Sequence, residues 1–262
     1  MDLKLTDKLA LISGSTKGIG LAIANSLARE GARVIVNGRT DQAVQKAIEQ
    51  IRKAVPSANP LGFAGDLSDA ATTASLAGRY PHVDILVNNL GIFEPKPFDQ
   101  IPDEDWQRFF NVNVLSGVRL SRAYLPGMKH KNWGRIIFIS SESAIQPPPE
   151  MIHYGMTKTA QLAVSRGLAE MCAGTGVTVN SVLPGPTKSE GVDEFVAQIS
   201  GGKPFAVFEK EFIEKVRPSS LLKRFATTDE VAALVTYVAS PLSSATNGAA
   251  LRVDGGVIRS CF

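Results

Sequence analysis

Tyr154 and Lys158 stand four residues apart in Tyr154-Gly155-Met156-Thr157-Lys158. The surrounding pattern predicts a helix from Tyr154 to Cys172, and residues at i and i+4 share one helical face. A phenol and an ammonium on that face can serve one site. A free phenol ionises near pH ~10, too high for useful proton exchange at neutrality. A neighbouring positive charge favours the phenolate and brings that value toward the working range. The pair therefore points to acid–base chemistry, provided that other elements bring a substrate and a redox partner to the same face.

Those elements are legible as alternation. Leu9 to Ile12, Val34 to Val36, Ile85 to Val87, Ile136 to Ile139 and Val177 to Leu183 are short, nearly continuous apolar runs, with weaker ones at Leu61 to Ala64 and Ala250 to Val253. Helical patterns lie between them at Ile19 to Arg29, Asp41 to Ala54, Glu104 to Met128, Tyr154 to Cys172 and Asp229 to Ala239. Strands buried on both faces and separated by helices predict an α/β fold with a parallel sheet covered on both sides. No Ser/Gly-rich linker and no internal repeat divides the chain, so residues 1–262 read as one domain.

The interval from Pro186 to Arg224 leaves this pattern. It holds Gly201-Gly202, Pro204 and the phenylalanines Phe195, Phe205, Phe208 and Phe212. Long irregular segments in compact domains are often lids, which predicts a small helical substrate lid at about 188–225; the plainer reading is a helical subdomain packed on the core. Pro147-Pro148-Pro149 stiffens the approach to the Tyr154 helix.

At the other end of the site, Leu9 to Ile12 runs into Ser13-Gly14-Ser15-Thr16-Lys17-Gly18-Ile19-Gly20 and then a helix. Glycines there permit a tight turn and a close backbone approach, and a helix N-terminus offers N–H groups to a pyrophosphate. The second strand ends at Asn37-Gly38-Arg39-Thr40 with no carboxylate for an adenosine ribose. Arg39, with Lys17 in the turn, suits a 2′-phosphate instead, so NADP(H) is favoured over NAD(H).

Composition narrows the partners. Lys and Arg total 28 against 25 Asp and Glu, a net charge of +3 with no basic run, which argues against nucleic acid. Cys172 and Cys261 make no disulfide framework or C-x-x-C metal or redox spacing. Asp2 and Asp7 interrupt the N-terminal residues, which lack the basic start of a signal peptide. Apolar stretches such as Val231 to Ala239 are too short to span a bilayer. The expectation is a cytoplasmic protein with a small-molecule partner.

With Gly14 to Gly20, Tyr154 and Lys158 identified, the chain resembles the short-chain dehydrogenase/reductase family, in its compact branch. The resemblance covers essentially all of residues 1–262 and implies a Rossmann-type, doubly wound seven-stranded parallel sheet. Asp66, before Leu67, matches the family residue placed against adenine. Asn88-Asn89-Leu90-Gly91 matches the family's Asn-Asn-Ala-Gly turn with one departure, Leu90, and puts Asn89 and Gly91 beside the cofactor. Asn113 matches the catalytic asparagine, and Ser141, thirteen residues before Tyr154, the catalytic serine. Pro184-Gly185-Pro186-Thr187 matches the turn that meets the nicotinamide, with Thr187 at its carboxamide, and Val253-Asp254-Gly255-Gly256 the C-terminal signature.

The resemblance implies that Tyr154 exchanges a proton with a carbonyl or alcohol oxygen while nicotinamide exchanges hydride with the carbon. Ser141 then binds that oxygen, Lys158 lowers the Tyr154 pKa and binds the nicotinamide ribose, and Asn113 holds a water that links Lys158 to solvent. It also implies a homo-oligomer, a tetramer or dimer. His153, Trp106 and Trp133 read as packing residues, Glu142 and Glu94 as solvated residues that could instead border the substrate, and Ser140 and Ser143 as structural. Ile92, Phe93, Ile145, Met151 and Ile152 favour an apolar-leaning pocket, suited to a ketone or 3-oxoacyl group; a sugar or polyol dehydrogenase is the alternative. A sugar-nucleotide epimerase would have a different glycine spacing and a longer substrate domain, and a non-catalytic regulator would lack Ser141, Tyr154 or Lys158.

Overall fold

The computed structural model describes residues 1–191, 196 and 204–261. Phe195, Gly201-Gly202 and Phe262 lie outside the described residues. Seven strands form one parallel sheet: β1 (Leu9–Ile12), β2 (Arg33–Gly38), β3 (Leu61–Ala64), β4 (Ile85–Asn88), β5 (Gly134–Ile139), β6 (Val177–Pro184) and β9 (Ala250–Val253), in the order β3-β2-β1-β4-β5-β6-β9. A two-stranded ribbon, β7 (Thr187–Lys188) with β8 (Ala226–Thr227), stands apart from it.

Each central strand is buried on both faces, and its side chains alternate between two cores. Ala10 and Ile12 of β1, with Ile137 and Ile139 of β5, face α1 (Gly18–Arg29), α2 (Asp41–Ala54) and a later helix, Thr228–Ala239. Leu11, Ile136 and Phe138 face α3 (Ala70–Arg79), α5 (Ser116–Lys131) and α6 (Ile152–Met171). Period-two side chains with apolar residues in both sets are what a helix-covered parallel sheet requires. Strand order reverses between β1 and β4, so the loops after these strands diverge and open a crevice at their C-terminal ends.

Two features depart from the expected elements. Glu104 to Met128 is not one helix: α4 (Asp103–Phe110) and α5 flank a π-turn, Asn111–Leu115, an inserted residue that apolar spacing does not register. Helix α3 lacked an apolar stripe, since only Thr73 and Leu76 of it are buried. The irregular interval contains α7 (Phe205–Lys215), and α8 is the Thr228–Ala239 helix, opened by a capping box in which Thr227 and Glu230 satisfy each other's backbone N–H. No helix among the described residues is long and apolar enough to cross a membrane.

Candidate active site

The loop after β1 is built around two backbone needs. Gly18 has φ +60°, and a Cβ on Gly20 would stand 2.5 Å from the Gly14 carbonyl oxygen, so α1 can start against the turn only with glycine there. Asn37, at the end of β2, accepts from Gly14 N at 3.0 Å and donates to the carbonyls of Phe63 and Gly65, bracing the turn between three strands. The Ser15 hydroxyl is likewise directed inward, donating to Ile12 O at 2.7 Å, while the Thr16 methyl fills the space that glycine leaves at position 38. Asn89 donates to Ser13 O and Gly14 O, which ties the loop after β4 to the same turn.

This end fits a dinucleotide. Lys17, the N-cap of α1, makes no side-chain capping bond. A carboxylate oxygen of Glu190 accepts from Gly18 N at 2.8 Å, so the first helical N–H already holds an anionic oxygen. Lys17 and Arg39 are exposed at the ends of β1 and β2, and Asp66 is exposed after β3, its carboxylate accepting from Ser68. Leu67 beside it is buried.

The loop after β5 and the start of α6 carry the candidate catalytic residues Ser141, Tyr154 and Lys158. Ser141 caps the short turn Glu142–Ala144, its Oγ accepting from Ser143 N at 3.1 Å. Tyr154 stands one turn into α6. Burial pushes its phenol up to about 12; the Ser141 hydroxyl and Arg217 act in the opposite direction, and Glu142 adds to the rise. The direction is the reverse of the lowering expected from Lys158. Lys158 is itself brought down to about 7 by burial; its Nζ donates to Ile139 O at 2.9 Å and lies 5.6 Å from the centre of the Tyr154 ring. Gly91 leaves it room, since a Cβ there would lie 3.4 Å from Nζ.

Asn113 sits in the π-turn behind Lys158, fully enclosed. Its side chain donates to Ile92 O at 3.0 Å and to the Thr157 hydroxyl at 2.9 Å, and accepts from Ile92 N at 2.8 Å. Its main-chain oxygen accepts from Gln161 Nε2 at 2.6 Å, and Gln161 Oε1 accepts from Lys158 Nζ at 3.4 Å. Gln161, one helical turn past Lys158, was not singled out from the sequence, although the i, i+3 spacing placed it on the same face.

Tyr154, Lys158 and Ser141 open on a cavity of about 470 Å³, which Asn89, Gly91, Ile19 and the Pro184–Thr187 turn also line. The Thr187 hydroxyl donates to Gly185 O at 2.9 Å. The far wall is largely apolar: Ile92, Phe93 and Met151 face Phe208, Phe212 and Val216 from the α7 segment, and Phe225 closes the side. Phe208, Phe212 and Phe225 line the cavity, and Phe212 packs on Phe225 at 5.3 Å between ring centroids.

Two carboxylates interrupt that wall. Glu142 is not a solvated residue: it is 4% exposed and accepts from Arg217 Nε at 2.8 Å and from the Ser143 hydroxyl. Arg217 Nη1 also donates to Glu150 at 3.0 Å. Burial works against the Arg217 charge, but Glu142 and Glu150 outweigh it and hold the guanidinium above its usual pKa. A carboxylate is solvated by default, and this one's partner lies 75 residues away, so no local pattern announced the pair. His153 is a packing residue as expected, 4.0 Å from the Phe109 ring, and Glu94 is exposed and paired with Arg108.

The arrangement has close counterparts. Residues 14–258 match the family model described as enoyl-(acyl carrier protein) reductase. The uncharacterized oxidoreductase YvaG of Bacillus subtilis (strain 168) is 51% identical over 264 residues, covering 100% of both chains. The D-beta-hydroxybutyrate dehydrogenase of Cupriavidus necator is 35% identical, over 96% of this chain and 98% of its own. The L-sorbose reductase of Gluconobacter frateurii, solved with NADPH and L-sorbose, superposes with a TM-score of 0.92 at 28% identity, over 99% of this chain and 100% of that one. The chain belongs to the short-chain dehydrogenase/reductase family and is an oxidoreductase of CH–OH and C=O groups.

Proposed function

We propose that this chain is an NADP(H)-dependent reductase of ketones, including 3-oxoacyl-type compounds, and that it runs the reverse oxidation of secondary alcohols. The observation that carries the reading is the grouping of Tyr154, Ser141 and Lys158 at the head of a mostly apolar cavity. Bound nicotinamide supplies or takes up the hydride. Tyr154 donates its proton to the carbonyl oxygen, and Ser141 Oγ binds the same oxygen as charge develops there. Lys158 holds the cation behind the phenol, fixed by Ile139 O and Gln161. Gly14, Gly18, Gly20 and the α1 N-terminus hold the pyrophosphate, Asp66 meets adenine, and Thr187 meets the carboxamide. Arg39 and Lys17 supply the preference for a 2′-phosphate, and the NADPH held by the L-sorbose reductase of Gluconobacter frateurii is in keeping with it.

A sugar or polyol dehydrogenase is the second reading. Glu142, Glu150 and Arg217 offer hydrogen bonds to hydroxyls, and the same L-sorbose reductase is a neighbour in shape. A panel of ketones, 3-oxo esters and ketoses, run with NADPH and NADH, tests both. The first reading expects NADPH-linked reduction of ketones and 3-oxo esters; turnover restricted to ketoses favours the second, and equal use of NADH overturns the cofactor assignment.

A further inference from the structure

The polar part of the cavity wall has a charge as well as a shape. Among the described residues, the charged groups that line the cavity are Glu142, Glu150, Arg217 and Lys158. Lys158 Nζ is held on the sheet side, against Ile139 O and Gln161. The substrate wall is left with two carboxylates around one guanidinium, a net charge of −1 (−2 + 1). Arg217 Nε and Nη1 are committed to Glu142, Glu150 and Val216 O, and Nη2 is the donor that the described residues do not use. A substrate carboxylate could pair with Nη1 and Nη2 of Arg217 together only by displacing Glu150, and on Nη2 alone it would lie beside that carboxylate. The displaced charge would stay at the mouth, because Lys96 N anchors the Glu150 main chain at 3.0 Å. Like charges brought together in a poorly hydrated site are costly, and repulsion of that kind gives specificity.

We infer that the Glu142–Arg217–Glu150 cluster restricts this site to carbonyl substrates that carry no anionic group near the reacting carbon. Arg217 donates to an ester, thioester, amide or hydroxyl oxygen, and the two carboxylates reject 3-oxo acids and 2-oxo acids. The inference rests on the reductase reading and narrows its substrate class.

Two measurements test it on the full chain with NADPH. Reduction of ethyl acetoacetate is compared with reduction of acetoacetate at pH 7, and fluorescence of bound NADPH is titrated with butanamide and with butanoate, which needs no turnover. The ester and the amide should each exceed their acid by about tenfold or more. Glu150→Gln should narrow both gaps several-fold, and Glu150→Asp, which keeps the charge, should preserve them. Butanoate binding as tightly as butanamide, or no binding of either, overturns the inference, as does a Glu150→Gln variant with the gaps unchanged. A chain that reduces no carbonyl overturns the reductase reading instead, and the titrations still decide the charge selectivity.

Discussion

Gln161 Nε2 donates to the main-chain oxygen of Asn113 at 2.6 Å, and the same carboxamide accepts from Lys158 Nζ at 3.4 Å. The π-turn that holds Asn113 is thereby coupled to Lys158 through a buried amide. An amide in this place fixes a dipole on the ammonium and orients it. Gln161→Leu should lower kcat about tenfold with the substrate KM little changed, the pattern for a residue that acts through another. Gln161→Glu should move the Lys158-dependent limb of the pH–rate profile to higher pH, because a carboxylate favours the ammonium. A merely structural Gln161 would leave that limb in place in both variants.

Burial raises the Tyr154 phenol to about 12, with the Ser141 hydroxyl only partly offsetting it. A protonated phenol is ready to act as an acid. Reduction should therefore be fast at pH 6–8, and alcohol oxidation, which needs the phenolate, should accelerate as pH rises above neutrality. Tyr154→Phe should lose roughly 10²- to 10⁴-fold in kcat while the NADPH dissociation constant stays put. Full turnover by this variant would sink the proton-transfer assignment.

The fold was almost wholly legible because its strands are buried twice over. Residues such as Leu11 and Ile12 are both apolar, and a run of that kind has no polar alternative reading. Tyr154 and Lys158 were legible from their i, i+4 spacing, and Ser141 and Asn113 were named through the family resemblance. Arg217 was not: it follows α7 within an irregular interval and reaches Glu142 through the third dimension. The solvated reading of Glu142 failed for the same reason, since its burial is tolerable only with that guanidinium beside it, although its place beside the substrate cavity was among the readings. The π-turn escaped because one inserted residue leaves apolar periodicity nearly unchanged on either side.

The proposed NADP(H) preference rests on two exposed cations, Lys17 and Arg39, beside a strand end where Asn37 is fully committed to the glycine turn. With no carboxylate at residues 37–40, a ribose diol has no strong acceptor there. Arg39→Ala should raise the KM for NADPH by ~10-fold or more and leave that for NADH nearly constant, the loss of a charge-assisted phosphate contact. An equal effect on both cofactors would remove Arg39 from the 2′-phosphate site.

The two buried groups also write opposite signatures into stability. Lys158 goes from an ordinary 10.5 to about 7 on folding. Between those values the unfolded chain binds a proton that the folded chain does not, so its contribution to stability grows as pH rises and is lost as pH falls through 7. Tyr154 rises from 10.0 to about 12, so across that window the folded chain keeps a proton that the unfolded chain releases, and stability falls as pH rises. The melting temperature of the wild-type chain should therefore gain on that of Lys158→Met from pH 7 to pH 10, both measured without nucleotide. Above pH 10 the Tyr154→Phe variant should gain on wild type in turn. A wild-type minus Lys158→Met difference that stays flat from pH 7 to pH 10 would mean that the lysine keeps its proton in the folded site.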